Sequence, residues 1–243
     1  MRPHIICHMI SSIDGRILTD RWTQPVDGKA RDDLVNRYYD IEKTFKADAW
    51  LVGRQTMQQY FVHAGEPDAS GRRELPRRAH VSEAAKRRTG RLAVVVDPKG
   101  KLRYESDNAD GDPIITILSE QVADTYLYEL QATGISYLFA GGEGKDLGHA
   151  MNSLRGDFGV ETLLVEGGGR INGAFLKAGL IDDISLMIYP GIDGLSGGTC
   201  VFEYEGEKDE EPAIGQSLRL TASETLEDGI IWARYEVERN HQP

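Results

Sequence analysis

The run Leu163-Leu164-Val165-Glu166-Gly167-Gly168-Gly169-Arg170-Ile171-Asn172-Gly173-Ala174-Phe175-Leu176 carries the strongest chemical signal in the chain. An apolar strand passes straight into glycines, which open an amphipathic helix. Glycine lets a backbone approach a ligand closely, and a helix N-terminus offers unpaired N–H groups and the positive end of the helix dipole. Together these parts predict a cradle for a phosphate or diphosphate, because three consecutive glycines exceed what a plain strand-to-helix turn needs. Two better-known phosphate loops do not fit. Gly167, Gly169 and Gly173 are spaced one residue too wide for G-x-G-x-x-G, and they lie in the last third of the chain. Gly144-Lys145 is followed by Asp146, and Phe139 stands where a P-loop needs its first glycine. Gly141-Gly142-Glu143-Gly144 is a second glycine-rich loop, available to another part of a dinucleotide.

Two further segments leave strand ends. In Val52-Gly53-Arg54-Gln55-Thr56-Met57, Arg54 and Thr56 suit phosphate and Gly53 clears space, although an ordinary turn reads equally well. In Ser11-Ser12-Ile13-Asp14-Gly15-Arg16, Asp14-Gly15 is either a simple turn or a carboxylate set beside a ligand. Each segment follows the carboxyl end of a strand, and in a sheet of parallel strands such ends share one edge. Pattern alone therefore predicts a nucleotide-binding α/β protein without naming its reaction.

The elements that must position these residues alternate in the α/β manner. Strands are expected at 4–10, 50–52, 92–96, 114–118, 135–140 and 162–165. Helices are expected at 31–45, with Leu34, Tyr38, Ile41 and Phe45 on one face, and at 121–133, 146–154 and 169–177. Gly134 and Gly179 close two of them. Strands at 184–189, 217–226 and 230–237 then follow without long helices, the last two joined at Glu227-Asp228-Gly229, a hairpin turn signal. A mixed, mainly parallel sheet with a C-terminal antiparallel hairpin results, with 62–78, 106–113 and the acidic 203–212 as surface loops and residues 1–243 as a single domain.

Composition narrows the function classes. The chain has 243 residues, two cysteines far apart and a net charge of −11. It needs no disulfide staples, and a reducing cytoplasm is the simplest compartment. No apolar run approaches the roughly 20 residues of a membrane span. Neither a membrane nor a nucleic-acid partner is expected, since nucleic-acid binders carry a positive footprint. The one basic stretch, Arg72, Arg73, Arg77, Arg78, Lys86, Arg87, Arg88 and Arg91, reads as a solvated face or as an attractor of anions. The six histidines show no metal-ligand spacing, so no metal is expected.

The ordered set Ser12-Ile13-Asp14-Gly15-Arg16, Val52-Gly53-Arg54-Gln55-Thr56, Val94-Val95-Val96-Asp97 and Val165-Glu166-Gly167-Gly168 resembles the reductase domain of bifunctional riboflavin-biosynthesis deaminase-reductases. So does 175–183 leading to Tyr189-Pro190-Gly191, and the similarity runs from Ile5 to about Val237. The resemblance implies a dihydrofolate-reductase-like three-layer α/β/α fold, NADPH as reductant and a homodimer. It also implies a small-molecule substrate, a phosphoribosylamino-pyrimidine whose ribosyl group becomes ribityl. By position, Gly167, Gly168, Gly169, Arg170, Ile171, Asn172, Gly173 and Ala174 would hold the cofactor diphosphate, with Gly53, Arg54 and Thr56 also on the cofactor. Ser12 and Glu166 would face the substrate, and Asp14 would sit where nicotinamide and sugar meet, to orient or relay a proton. The zinc deaminase half is absent, which implies a stand-alone reductase. Gln58-Gln59-Tyr60 stands where that family carries an Asp-Asp-Pro segment, and Pro98 stands where it has a serine for the 2′-phosphate. Dihydrofolate reduction, reduction of another small carbonyl or imine, and a non-catalytic nucleotide-binding or flavin-sensing module are the alternatives.

Overall fold

The computed structural model describes residues 1–24, 26, 28, 31–60, 62–65, 74–227 and 229–239. Arg72 and Arg73 of the basic stretch and Asp228 of the expected hairpin turn lie outside the described residues, as does the Leu34 side chain. In chain order the elements are β1 (His4–Ser12), a 3-10 turn (Thr19–Arg21), α1 (Arg31–Thr44), β2 (Ala49–Gly53), α2 (Arg54–Tyr60), β3 (His63–Ala64), α3 (Glu83–Lys86), β4 (Leu92–Val96), β5 (Leu102–Arg103) and β6 (Asn108–Ala109). They continue with β7 (Asp112–Leu118), α4 (Asp124–Thr133), β8 (Ser136–Phe139), α5 (Leu147–Phe158), β9 (Thr162–Val165), α6 (Gly169–Lys177), β10 (Asp183–Tyr189), β11 (Gln216–Thr225) and β12 (Ile231–Arg239). Each strand and helix expected from periodicity has its counterpart here. The chain forms two compact units: Met1–His4 with Ala47–Leu163, and Ile5–Lys46 with Leu164–Pro243.

The first unit is built on parallel strands. β2 pairs with β4, β4 with β7, and β7 with β8, all parallel, while the short β6 runs antiparallel to β7. Every residue of β2 and β4 is buried, the mark of parallel strands covered on both faces. In α5, Leu147, Ala150, Met151, Leu154 and Phe158 form one buried stripe at helical spacing. That stripe continues past the expected end at 154, and Gly159 stops it in the left-handed region with φ 67. The Asp146 side chain caps its start by accepting from the His149 amide at 2.8 Å. Arg77, from the basic stretch, is neither solvated nor free for anions: its Nη1 lies 2.7 Å from Asp124 Oδ1, and it also donates to the Glu120 and Val122 carbonyls.

The second unit mixes directions. β1 and β10 are parallel, β10 and β12 antiparallel, and β11 completes a hairpin with β12. The hairpin closes through Leu226 N–H to Ile230 O at 2.8 Å, with Gly229 at φ 73. Trp22, Ile41, Met187, Tyr189, Ile230 and Trp232 form its apolar core, with Tyr38 and Phe45 against it.

One contact in this unit leaves no room for side chains. A Cβ on Gly169 would lie 2.2 Å from the Cys200 carbonyl oxygen, and one on Gly173 would lie 2.0 Å from that of Glu203. Residues 200–204 therefore lie directly on α6, and Glu203 N–H donates to Gly169 O at 2.9 Å. Alanine at position 173 would gain about 1 kcal/mol of helix propensity. The clash is with backbone and cannot be relieved by a rotamer, so overpacking of about 1–3 kcal/mol wins. Gly173→Ala should lower the melting temperature by several degrees in a thermal melt. Gly168→Ala, where a Cβ meets nothing within 4 Å, should melt as the parent does.

Candidate active site

In the second unit, the end of β1 sets up Asp14. Gly15, at φ 75, turns the chain so that its N–H donates to Ser12 O at 2.9 Å. The buried Ser12 hydroxyl then donates to Asp14 Oδ1 at 2.6 Å. Two main-chain amides complete the set, Gly194 N–H to Oδ2 at 2.8 Å and Asp193 N–H to Oδ1 at 3.2 Å. These bonds, that of Ser12 foremost and that of Gly194 next, hold the exposed Asp14 carboxyl down at about 2. It is ionised throughout the physiological range. Such a group can orient a ligand or stabilise positive charge, but it has no proton to give.

The amides reach Asp14 because residues 191–200 are stitched to the segment after β1. Ile13 N–H donates to Gly191 O at 2.9 Å and Ile17 N–H to Thr199 O at 3.1 Å, and Arg16 bridges Cys200. Arg21 clamps the segment from one side, with Nε 2.8 Å from Asp193 Oδ2 and Nη2 3.0 Å from Oδ1. Ile13, next to Asp14 in sequence, and Ile192 and Leu195, which flank the two donating amides, are exposed. Sequence reasoning missed residues 192–199. Their only signal was Asp193-Gly194, which reads as one more turn.

The glycine corner divides by position. Gly167, at φ 95, and Gly168 follow Glu166, and Gly168 is the N-cap of α6 with no side-chain capping bond. Ile171 and Asn172 N–H both return to Gly168 O, at 2.9 and 3.2 Å. An uncapped helix start beside an open Gly168 fits an anion such as a diphosphate. Gly169 is occupied by the chain's own backbone. Asn172 is buried and turned inward, its Nδ2 donating to Val201 O at 2.8 Å. Arg170 pairs at the surface with Glu205, 2.7 Å away. Glu166 receives the Tyr38 hydroxyl at 3.1 Å.

Gly53, Arg54 and Thr56 belong to the first unit, at the end of β2 and the start of α2. Arg54 Nη1 donates to Gln58 Oε1 at 3.1 Å, and its charge acts on the Asp97 carboxyl. Asp97 is buried at the end of β4, which pushes its carboxyl up, and its Oδ2 takes the Leu102 amide at 2.8 Å. Its other oxygen is buried with no hydrogen-bond partner among the described residues. Pro98 is a packing residue: a Cβ on Gly144 would lie 2.6 Å from it and 3.0 Å from the Ser119 Cβ. The loop 141–144 thus rests on the ends of β4 and β7.

Comparison with known proteins agrees with this architecture. The chain is 28% identical over 235 residues to the 2,5-diamino-6-ribosylamino-4(3H)-pyrimidinone 5′-phosphate reductase of Methanothermobacter thermautotrophicus, covering 95% of this chain and 97% of that relative. A crystal structure of a pyrimidine reductase-like protein from Corynebacterium diphtheriae shares the fold with a TM-score of 0.66 at 20% identity, over 98% of this chain and 92% of that one. The riboflavin biosynthesis reductase Rib7 of Saccharomyces cerevisiae does so with a TM-score of 0.60 at 15% identity, over 98% and 90%. The family described as RibD C-terminal domain matches residues 3–232, and the chain belongs to that family.

Proposed function

We propose that the protein is an NADPH-dependent reductase of riboflavin biosynthesis. It would convert the ribosyl group of 2,5-diamino-6-ribosylamino-4(3H)-pyrimidinone 5′-phosphate, or of its aminouracil counterpart, into a ribityl group. The end-to-end relationship to a reductase of that substrate carries the reading, and the locked Asp14 carboxylate supplies its chemical sense. The family match runs through both units, which supports one reductase domain made from the whole chain. We read the enzyme as a cytoplasmic homodimer acting on a small molecule. Among the described residues no helix is long and apolar enough to cross a membrane.

When bound, NADPH supplies the hydride. The amides opening α6 at Gly168 would hold its diphosphate. The ribosylamine opens to an imine with a free O4′ hydroxyl; hydride then reaches C1′ and a proton reaches nitrogen. A protonated iminium is the better hydride acceptor, and an acid held ionised beside C1′ favours it. Asp14 serves that role by charge, while the proton comes from solvent or another group. Glu166 faces the sugar.

Three outcomes test the reading. Asp14→Asn should cut turnover of the pyrimidine by about 10²–10³-fold, as loss of a preorganised electrostatic group does. NADPH affinity, followed by nicotinamide fluorescence, should stay unchanged; retained turnover removes Asp14 from the mechanism. Because the Asp14 pKa is depressed, its bonds to residues 193 and 194 are present above the ordinary carboxylate range and are lost as pH falls through about 2. The pH profile of kcat/KM should consequently show no limb from this residue between about pH 5 and 8. Gly168→Val should weaken NADPH at least about tenfold with an unaltered melting temperature. Equal affinity in the two proteins would dismiss the diphosphate cradle.

A further inference from the structure

A partly buried chain of hydrogen bonds in the second unit ends on Glu166. His8 of β1 is wholly buried and stands in register with Ser185 of β10. Its Nδ1 is 3.0 Å from Ser185 Oγ, and its Nε2 is 3.5 Å from the Tyr38 carbonyl oxygen. The Trp232 indole N–H donates to the same Ser185 Oγ at 2.8 Å. The Tyr38 carbonyl only accepts, so His8 Nε2 carries the hydrogen, and in a neutral imidazole Nδ1 is left to accept from the Ser185 hydroxyl. His8 is then the neutral Nε2–H tautomer, with its remaining hydrogen aimed at the Tyr38 carbonyl. Burial, which lowers the imidazole to about 4, keeps it in that form.

Tyr38 is fixed by this arrangement at both ends. Its ring stacks on the His8 imidazole with centroids 4.3 Å apart and planes 14° from parallel. Its hydroxyl lies 3.1 Å from His8 O and 3.1 Å from Glu166 Oε1. A phenol has one hydrogen to share between those acceptors, and an ionised carboxylate is the stronger one. Glu42 of α1 and Cys7 of β1 are the other titratable groups acting on Tyr38. Burial, with the Glu166 charge adding to it, drives the phenol well above its ordinary range, so it remains a donor. A free glutamate side chain loses rotamer freedom when ordered, and a rigid donor lets that loss occur before a ligand arrives.

We propose that Tyr38 is a positioning residue for Glu166: its hydroxyl holds the carboxylate in one orientation, and the His8 stack backed by Ser185 and Trp232 holds the hydroxyl. That the carboxylate so held faces the sugar rests on the reductase reading; the hydrogen bond itself does not.

The test separates the two. With carboxyl-¹³C glutamate, Tyr38→Phe should raise the Glu166 titration midpoint by about one pH unit, because a donor to the charged form is lost. In the parent protein, the Tyr38 ring Cζ resonance should shift together with the Glu166 titration, a reading that needs no variant. On the pyrimidine substrate, Tyr38→Phe should lower kcat/KM about tenfold with NADPH affinity unchanged. In a Glu166→Gln background the same change should have less than about a twofold effect. An unmoved midpoint, a flat Cζ resonance or a full effect in the Glu166→Gln background overturns the proposal. If the midpoint moves but the parent protein reduces no pyrimidine, the positioning pair stands and the reductase reading falls.

Discussion

The main chain of residues 200–204 lies so close to α6 that positions 169 and 173 exclude even a methyl group, and much of the second unit follows from this contact. Glu203 and Val201 are tied to Gly169 and Asn172, which fixes one end of the segment beginning at Gly191. The other end is fixed by Ile13 against Gly191 and by Arg21 on Asp193. Held at both ends, the segment delivers the 193 and 194 amides to Asp14. Packing at a helix face thereby sets the electrostatics of a carboxylate on a different element.

The same unit tunes ionisable groups in opposite directions by two different means. Asp14 is exposed, and donated hydrogen bonds keep it charged. His8 is buried and Tyr38 half-buried, and desolvation keeps them neutral. On the proposed reading, an always-charged acid and an always-neutral donor are complementary tools for handling a sugar that becomes cationic at one carbon. Neither titrates near neutrality, so each keeps its character across the neutral pH range.

Much of this was legible in the chain. Continuous apolar runs such as Leu92–Val96 announce buried parallel strands, and Asp-Gly before Ile230 announces the hairpin. Ordered short motifs identified the family. The hidden parts depend on partners remote in sequence. Nothing beside Asn172 in sequence announces Val201, which takes its side-chain hydrogen bond and adjoins an acidic stretch that reads as surface loop. His8 looks like any strand residue until Ser185 and Tyr38 flank it. Arg77 reads as one charge among many in a basic stretch, and only the fold shows Asp124 opposite it. Periodicity reports which way a side chain faces but not what it meets there.

Two of the three donors to Asp14 belong to the peptide backbone. Every residue other than proline carries such a donor, so the path of the loop encodes this part of the site rather than the letters along it. Relatives could therefore differ at 193 and 194 and still grip the acid identically, provided the loop keeps its course. A search by motif would pass over that shared grip, and only superposed backbones would reveal it.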